Sequence, residues 1–294
     1  MHSQSLEQQA HKLVVAKTQH GEISCDQKPI KSIGSERSYK SCVQQFLKWR
    51  WHAGLPVLGP YMQQEMIEYL EDQSEVLAQS TLDQHRRALQ IVFSIQLIPV
   101  QSDRNSILRG KDLTLAELKE IISKQTDYMA LSTLICLNAG LRASELLTLQ
   151  PVELQPPSER RKWRDDLFCH RENISEFTVH GKGGLIRRVA IDDALIDEIN
   201  RYRGPHACTR LDRDIYRTSA FKLAGGQSFS QSFSIASQAA IGYSLGAHCL
   251  RHIWAKNRFF DLRRSNLCVK DAQHIVSQES GHFRPVITLT YLQH

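Results

Sequence analysis

The sequence predicts a mainly α-helical fold that carries a small β-sheet, an α+β class, for a chain of 294 residues. Apolar residues recur at the three- and four-residue spacing of helices over most of the chain. One segment, near Phe177, instead alternates apolar and polar residues with the period of two that is typical of strands. A chain of this length is expected to form about two domains, each with its own core.

Composition excludes several broad classes of protein. Hydrophobic residues make up 41% of the chain and charged residues 23%, so wholesale disorder is excluded. No apolar run approaches the roughly 20 residues that span a bilayer, and the polar start lacks the apolar stretch of a signal peptide. We therefore expect a cytoplasmic protein with no membrane partner. Seven cysteines without a CxxC pair argue against a disulfide framework and a structural zinc site.

The first helix of the chain is predicted after a polar start. Residues 1–34 show no sustained period, so the sequence predicts a flexible arm there. A helical pattern begins at Ser35, and its apolar face is formed by Tyr39, Val43, Phe46 and Leu47. Between Gly54 and Pro60 the pattern is broken by two prolines, which predict a turn.

Two more helices complete a predicted helical domain of residues 35–97. The second helix runs from about Tyr61 to Asp72, with its apolar residues along one face. The third opens at Ser80, where the letters STLD have the form of a capping box.

Positive charge lies mainly in the second part of the chain. Residues 1–110 hold 12 basic and 11 acidic side chains, whereas residues 111–294 hold 25 and 20. This imbalance favours a polyanionic partner, nucleic acid first.

On the third helix, Arg86 and Arg87 fall away from the apolar stripe. For this pair, a contact with a DNA phosphate and an ordinary solvated face are equal alternatives.

A second domain follows a polar segment without periodicity, residues 98–113, which is predicted to be the interdomain linker. This domain covers residues 114–294 and opens with a capping box, TLAE, at Thr114. Hydrophobic helices are predicted over residues 128–149. The segments EFTVH and LIRRVAI flank the glycine-rich GKGG, which predicts a β-hairpin. Three further helices are predicted in DDALIDEINRY, SFSQSFSIASQAAI and AHCLRHIWAKNRFF.

Two short segments of the second domain place cations beside turns. In GLRASE, Arg142 follows a glycine, and Glu145 lies three residues further on. A nearby carboxylate can hold an arginine in the fixed position that phosphate binding requires. In GKGG, Lys182 stands at a hairpin tip, from which it could deliver a proton or a charge. The P-loop pattern GxxxxGK[ST] is absent. Alone, each segment is also typical of an ordinary surface.

Two later segments add histidines and a tyrosine. In HCLRH, His248 and Arg251 share one face of a helix, which suits a tetrahedral phosphate. His248 and His252 also have the spacing of a metal-binding helix, but the glutamate of HExxH and a third ligand are missing, so metal is the less favoured use. Further on, His282 precedes Tyr291 by nine residues. A phenol attacks a phosphate only beside cations and a proton acceptor.

Taken in their order along the chain, the segments GLRASE, the GKGG hairpin, HCLRH and GH…TLTY resemble the motifs of the tyrosine recombinase family, of the phage-integrase type. The resemblance implies a core-binding domain and a catalytic domain that clamp double-stranded DNA at a specific recombination site with an inverted-repeat core. It implies a tetramer on DNA, an accessory or directionality protein as a further partner, and a place at the bacterial nucleoid. It implies no cofactor and no metal, since the bond energy is kept in a phosphotyrosine.

The resemblance also implies how the phosphate is held. The implied catalytic residues are Arg142, Lys182, His248, Arg251, His282 and Tyr291. Arg142 and Arg251 would hold the non-bridging oxygens of the scissile phosphate, and His282 would help to stabilise the transition state. Glu145 would orient Arg142 from behind.

The remaining implied roles concern bond breaking. Tyr291 would attack the phosphate and leave a 3′-phosphotyrosine, while Lys182 would protonate the 5′-oxygen. His248 would assist proton transfer from Tyr291 or hold the phosphate. The sequence departs from the family at Ser280, where a leucine is usual. Many family members also extend a helix or strand beyond the tyrosine, whereas here only three residues follow.

Two other functions stay open at this point. A type IB topoisomerase-like enzyme uses the same phosphotyrosine chemistry to nick and close DNA, but it relaxes supercoils without exchange between defined sites. A non-catalytic DNA-binding regulator on the same fold needs no nucleophile, so the complete set of cations, histidines and tyrosine argues against it.

Overall fold

The computed structural model describes residues 5–19, 30–103, 112–181, 184–285 and 292. The chain divides into two units, residues 1–108 and 109–294. This division falls inside the segment 98–113. Part of that segment lies outside the described residues, so the linker stays a prediction. No helix in the described part of the chain is both long and apolar enough to cross a membrane.

The first unit, as far as it is described, consists of four helices. They are α1 (Leu6–Val15), α2 (Ile33–His52), α3 (Gln63–Ser74) and α4 (Gln79–Phe93). Their apolar faces enclose one core that includes Val43, Phe46, Leu47, Met66, Tyr69, Leu70 and Leu89. The helices predicted from Ser35 and from about Tyr61 are confirmed, with boundaries shifted by two residues.

Helix α1 corrects the prediction of a flexible arm. Its first turn is closed by a capping box, in which the hydroxyl of Ser5 accepts from the N–H of Gln8 and the side chain of Gln8 accepts from the N–H of Ser5. Ala10 and Val14 lie one turn apart, are fully buried and join the core of the first unit. Leu6 and Leu13 pack against the same core, so a helical period is present in the sequence, but it is confined to this one short segment.

The start of α4 corrects a second prediction. The helix begins at Gln79 after Ala78, and the expected capping box at Ser80 is not formed. The reason is a tertiary contact of Gln79, whose amide donates to the carbonyl of Val100 and accepts from the N–H of Ser102 over 2.8 Å. These bonds tie the first turn of the helix to the segment that follows it.

The second unit combines helices with two small antiparallel sheets. Its described helices are α5 (Leu115–Ser123), α6 (Asp127–Ala139), α7 (Ile196–Asn200), α8 (Gly226–Ile241), α9 (His248–Arg264) and α10 (Val269–Glu279). The first sheet has the order β1-β2-β3, with β1 (Gln150–Pro151), β2 (Ile174–His180) and β3 (Ile186–Asp192). The predicted hairpin is thus confirmed, with Phe177 opposite Val189. The predicted capping box at Thr114 is also confirmed.

A second hairpin was not predicted. Its strands are β4 (Arg203–Asp212) and β5 (Ile215–Phe221), joined by Arg213 and Asp214. Both turn residues have left-handed backbone angles, with φ of 51° and 63°. Two such residues in a row form the type I′ turn of hairpins, and most turns of this type contain Asn-Gly or Asp-Gly. The predicted helix in DDALIDEINRY is in turn reduced to α7, which has five residues, and a 3-10 turn.

Candidate active site

The loop that carries Arg142 packs tightly against helix α9. Helix α6 ends at Ala139, and its C-cap residue is Gly140, which has a φ of 61°. A Cβ at this position would lie 2.3 Å from the ring of Trp254, so only glycine fits. The carbonyl of Gly140 also accepts from Nη1 of Arg251, on the same face of α9. The close approach brings Arg142 next to Arg251.

Glu145 is a buried carboxylate that faces three arginines. Its Oε1 accepts from Nη1 of Arg142 over 2.7 Å, and its Oε2 accepts from the backbone N–H of Arg142 and from Nη2 of Arg187, each over 2.8 Å. Nη1 of Arg251 lies 3.6 Å from Oε2. Burial raises the pKa of Glu145, but the cations of Arg187, Arg251 and Arg142 outweigh it and hold the pKa far below its usual range. Glu145 is therefore charged at neutral pH.

Arg187 is a member of this cluster that the motifs did not identify. It is fully buried on β3, and it donates to the carbonyls of Glu279 and Gly140 as well as to Glu145. Gly281 makes room for it, since a Cβ there would lie 2.7 Å from its Cδ. A signal was present in the sequence, because position 187 lies in the same alternating phase as the buried Leu185 and Val189.

Arg142 and Arg251 differ sharply in exposure. Arg142 keeps 23% of its side chain exposed, whereas Arg251 has none exposed. The guanidinium of Arg251 donates to the carbonyls of Gly140 and Ser280 and thus joins the end of α6 to the segment before His282. Arg142 is therefore the cation of this cluster that an external anion can reach directly.

His282 lies against the exposed end of the cluster. Its Nε2 is 3.2 Å from Nη2 of Arg142. Its backbone is held by Ser277, which accepts from the N–H of His282 over 2.7 Å and donates to its carbonyl over 2.6 Å. Burial, together with the charges of Arg251, Arg142 and Arg187, lowers the pKa of His282 to about 4. The ring is therefore neutral at pH 7, and its Nε2 accepts from Arg142.

A second buried ion pair fixes the end of α10 just before His282. Arg258 donates to Glu279 from Nε and Nη2, each over 2.9 Å. Oε1 of Glu279 also accepts from the N–H of Phe168 over 2.8 Å. Neither partner was identified from the sequence, because a buried ion pair between helices leaves no local motif.

An open cleft lies beside Arg142. Four segments line it, through Arg142, Ala143, Ser144, Asp212, Arg213, Gly226, Ser230 and His248. His248 is the first residue of α9 and is exposed, with its ring 5.1 Å from that of His252. The structure thus brings Arg142 and His248 to one cleft. Within the described ranges, no group of three or more His, Cys, Asp or Glu residues is arranged to hold a metal ion.

Lys182 and Tyr291 lie outside the described residues, so their positions stay predictions. The described neighbour of Lys182 is Gly181, whose N–H donates to the carbonyl of Leu185 over 2.7 Å at the base of the hairpin. The described neighbour of Tyr291 is Leu292, which packs against the apolar cluster of α9 and α10.

The two arginines of the first unit have different surroundings. Arg86 is half-buried; its Nη1 donates to the carbonyl of Leu97 over 3.3 Å, and its Nη2 lies 3.6 Å from Asp83. Arg87 is exposed on the same helix. Arg87 is therefore the more accessible of the two, and the contact with DNA stays a prediction for both.

Comparison with known proteins identifies the fold. No family model matches the chain, and no curated protein matches its sequence. Among solved structures, a lambda integrase (75–356) dimer bound to a COC′ core site is similar, with a TM-score of 0.55, 16% identity, and coverage of 97% of this chain and 93% of that one.

Two further structures give the same result. The XerH site-specific recombinase bound to difH substrate, in a pre-cleavage complex, has a TM-score of 0.53 and 16% identity over 87% of this chain and 75% of that one. The Tn1549 transposon integrase (82–397) with circular intermediate DNA has a TM-score of 0.50 and 14% identity over 99% and 96%. The chain therefore has the α+β fold of these integrases and recombinases, as its motifs predicted.

Proposed function

We propose that the chain is a site-specific DNA recombinase that cuts and rejoins DNA through a 3′-phosphotyrosine intermediate. One observation carries the proposal. Three guanidinium cations face the single carboxylate of Glu145, so the buried cluster keeps a net positive charge, and its exposed end, Arg142, opens on a cleft. A fixed cation at a cleft is the arrangement that stabilises charge developing on a phosphate. The fold shared with integrases supports the same use.

In this proposal Arg142 binds a non-bridging oxygen of the scissile phosphate. Its contacts with Glu145 and His282 fix the plane of the guanidinium, and a guanidinium has five N–H donors, so donors remain for the phosphate. His282 is a neutral ring whose Nε2 accepts from Arg142. Its other nitrogen, Nδ1, then carries the proton and can donate a hydrogen bond.

Arg251 has a less direct part in the proposal. Its side chain is buried and donates to the carbonyls of Gly140 and Ser280. It therefore adds positive potential near Arg142 and holds in place the end of α6 and the segment before His282, both of which lie beside the proposed site of the scissile phosphate. Direct contact with a phosphate oxygen would require part of this fully buried side chain to become exposed. This difference from Arg142 can be tested separately.

Lys182 and Tyr291 are proposed from their sequence motifs. Gly181, next to Lys182, lies close to the cluster, since a Cβ on it would be 3.7 Å from Oε1 of Glu145. This supports a lysine delivered from the hairpin to the same phosphate. Oη of Tyr291 would attack phosphorus and lose its proton with the help of His248. The bond from phosphorus to O5′ would break, and Lys182 would give a proton to O5′.

The covalent intermediate makes the reaction reversible without ATP. A free 5′-hydroxyl from another strand attacks the phosphotyrosine, restores the phosphodiester and releases the tyrosine. Exchange between strands requires two DNA sites held together, so we propose a tetramer on paired double-stranded sites in the cytoplasm. An accessory protein that sets direction is part of the same proposal.

A covalent-trapping assay on a nicked suicide duplex tests the proposal. The duplex is taken from DNA that flanks the coding region, and wild type is compared with Tyr291→Phe. Tyr216→Phe is a matched control, because Tyr216 is an exposed tyrosine of the same unit. We expect adducts from wild type and Tyr216→Phe and none from Tyr291→Phe. An adduct that persists in Tyr291→Phe would show that another residue attacks, and tight binding without any adduct would favour a DNA-binding regulator.

A plasmid that carries two copies of the trapped site separates recombinase from topoisomerase. A recombinase is expected to give deletion or inversion products with junctions at the site. Relaxed plasmid without such junctions would overturn strand exchange and favour the type IB topoisomerase-like activity.

A further inference from the structure

The cleft beside Arg142 extends to a turn that the proposed chemistry does not use. Besides the loop of Arg142 and the helices α8 and α9, its walls include the turn between β4 and β5, which contributes Arg213. Arg213 is exposed and takes the first of the two left-handed positions of the turn. The same cleft therefore has a second guanidinium next to the one assigned to the scissile phosphate.

Asp212 fixes the position of this turn. Its Oδ1 accepts from the N–H of Gln227 over 2.9 Å, at the start of α8. Gly226 makes this approach possible, since a Cβ there would lie 2.4 Å from Oδ1. The N–H of Gly226 donates in turn to the carbonyl of Ala143 over 2.7 Å. Direct contacts thus connect the turn, the start of α8 and the loop that carries Arg142.

The charge of the cleft favours an anion of extended shape. Among the residues that line it, Arg142 and Arg213 are cations and Asp212 is the single carboxylate. Asp212 is buried, its Oδ1 accepts from the N–H of Gln227 in the first turn of α8, and its Oδ2 lies 3.8 Å from Nε of Arg217, so both of its oxygens face donor groups of the protein. Phosphates of one DNA strand follow each other every 3.4 Å along the helix axis. Because Arg142 and Arg213 line the same cleft, two successive phosphates of one strand are the anions that the pair can bind together.

We propose that Arg213 binds the phosphodiester next to the scissile one, so that Arg142 and Arg213 hold two neighbouring phosphates of the same DNA strand. This rests on the proposed function, from which it takes the place of the scissile phosphate at Arg142. Phosphate contacts of this kind fix register and orientation without reading sequence. Arg213 thus positions the strand in the cleft and takes no part in bond breaking.

The variants are chosen to remove the charge and keep the turn. Asn and Gly tolerate left-handed backbone angles, so Arg213→Asn and Arg213→Gly remove the cation without straining the turn. Arg213→Lys restores the charge. Arg264→Ala is the matched control, because Arg264 is an exposed arginine at the far end of α9. At a rise of 1.5 Å per residue, it lies about 24 Å along the helix from His248, which lines the cleft.

The readout is the salt dependence of DNA binding. Fluorescence anisotropy measures the affinity of each full-length variant for a 30-base-pair duplex of random sequence, over a series of KCl concentrations. Loss of one phosphate contact reduces the slope of log affinity against log salt by about 0.9. We expect this reduction for Arg213→Asn and Arg213→Gly, the wild-type slope for Arg213→Lys, and no change for Arg264→Ala.

The outcomes separate the phosphate site from the proposed function. Slopes for Arg213→Asn and Arg213→Gly equal to that of Arg264→Ala would overturn the Arg213 site. The same preparations are run in the Tyr291-dependent trapping assay. An unchanged slope with a Tyr291-dependent adduct rejects only the Arg213 site. A reduced slope together with no adduct from wild type supports a phosphate contact of Arg213 but rejects the recombinase, and with it the place of that phosphate next to a scissile one. Wild-type binding that does not depend on salt would overturn both.

Discussion

Arg187 and Glu145 form a fully buried ion pair, with Nη2 of the arginine 2.8 Å from Oε2 of the carboxylate. The pair joins strand β3 to the loop of Arg142. Arg187 also donates to the carbonyl of Glu279, so one guanidinium connects the hairpin, that loop and the end of α10. The loop carries Arg142 and the hairpin carries Lys182, and both residues belong to the proposed phosphate site. The stability of the site therefore depends on a residue that would touch no substrate.

Arg187→Ala is expected to destabilise the chain strongly. Removing one partner of a buried ion pair leaves an uncompensated charge and typically costs about 3–5 kcal/mol. Arg188→Ala is the matched control, because Arg188 is the next residue on β3 and its pair with Glu176 is 30% and 34% exposed, so a smaller loss is expected than for the fully buried pair. Denaturant unfolding measures both. Equal losses for the two variants would contradict a special role for Arg187.

Glu145→Gln is expected to lose stability in a pH-dependent way. The folded-state pKa of Glu145 is far below that of an unfolded glutamate, about 4.3. A depressed pKa stabilises the fold above the unfolded pKa, and this contribution is lost as pH falls towards the folded pKa. The difference in free energy of unfolding between wild type and Glu145→Gln should therefore be largest near pH 7 and become smaller below about pH 4.3. A difference that stays constant from pH 7 to pH 3 would contradict the shift.

Local spacing in the sequence indicated only those contacts of this site whose partners are close together in the chain, whereas Arg251 and His282 were assigned to it through the family resemblance. Arg142 and Glu145 are three residues apart, and their motif predicted their contact. Arg187 and Glu145 are separated by 42 residues, and Arg258 and Glu279 by 21, so no local pattern relates these partners. Buried ion pairs depend on the tertiary fold, which brings together charges that appear in the sequence as ordinary surface residues.

His282 is expected to titrate far below an ordinary histidine. Burial and the three neighbouring arginines lower its pKa to about 4, so it is neutral in the folded state throughout the physiological range. Removing one of these cations in Arg142→Ala should raise the pKa of His282. NMR titration of the histidine ring signals measures it, with His282→Gln to assign the resonance. A pKa of His282 near 6.5 in wild type would contradict this environment.

The same shift predicts how stability depends on pH. The unfolded histidine takes up a proton near pH 6.5, whereas the folded one resists protonation until about pH 4. The stabilising contribution of neutral His282 is therefore complete above pH 6.5 and is lost as pH falls from 6.5 to 4. Wild type should lose more stability than His282→Gln between pH 7.5 and pH 5. Parallel losses in the two proteins would argue against the lowered pKa.

Helix α1 was not predicted from the sequence, and its dependence on packing against the core can be tested. Val14 is fully buried, whereas Val15 beside it is 42% exposed. Val14→Asp places a charge in the core and should reduce stability by about 3 kcal/mol or more, while Val15→Asp should stay within about 0.5 kcal/mol. Hydrogen exchange of residues 6–15 should show lost protection in Val14→Asp only. Equal protection in both variants would mean that α1 does not depend on its docking.

The fold itself was predicted where burial imposes a regular pattern. Hairpin β2–β3 has one face in the core, so its sequence alternates and was found. Hairpin β4–β5 was missed, because most of β4 is exposed and its turn is Arg213-Asp214 rather than a glycine turn. The side chains of an exposed strand need not alternate between apolar and polar, and backbone hydrogen bonds do not depend on side-chain identity. Such a strand therefore has no distinctive sequence pattern.

Alanine variants of Arg142 and Arg251 should differ in their effects on the cleavage rate and on the free energy of unfolding. Arg142 is partly exposed at the cleft, so Arg142→Ala should mainly slow cleavage of the suicide duplex. Removing one preorganised electrostatic contact costs about 2.7–4 kcal/mol of transition-state stabilisation, or a factor of about 10² to 10³.

Arg251→Ala should slow cleavage and also lower the free energy of unfolding, because its buried guanidinium satisfies the carbonyls of Gly140 and Ser280. Single-turnover cleavage and denaturant unfolding measure the two effects on the same preparations, with Arg188→Ala as the control for both. Because Arg188 lies outside the cluster, its loss should leave the cleavage rate within a few-fold of wild type. Cleavage by Arg142→Ala within tenfold of wild type would remove Arg142 from the phosphate site. A drop in stability as large for Arg142→Ala as for Arg251→Ala would mean that both arginines hold the fold rather than the substrate.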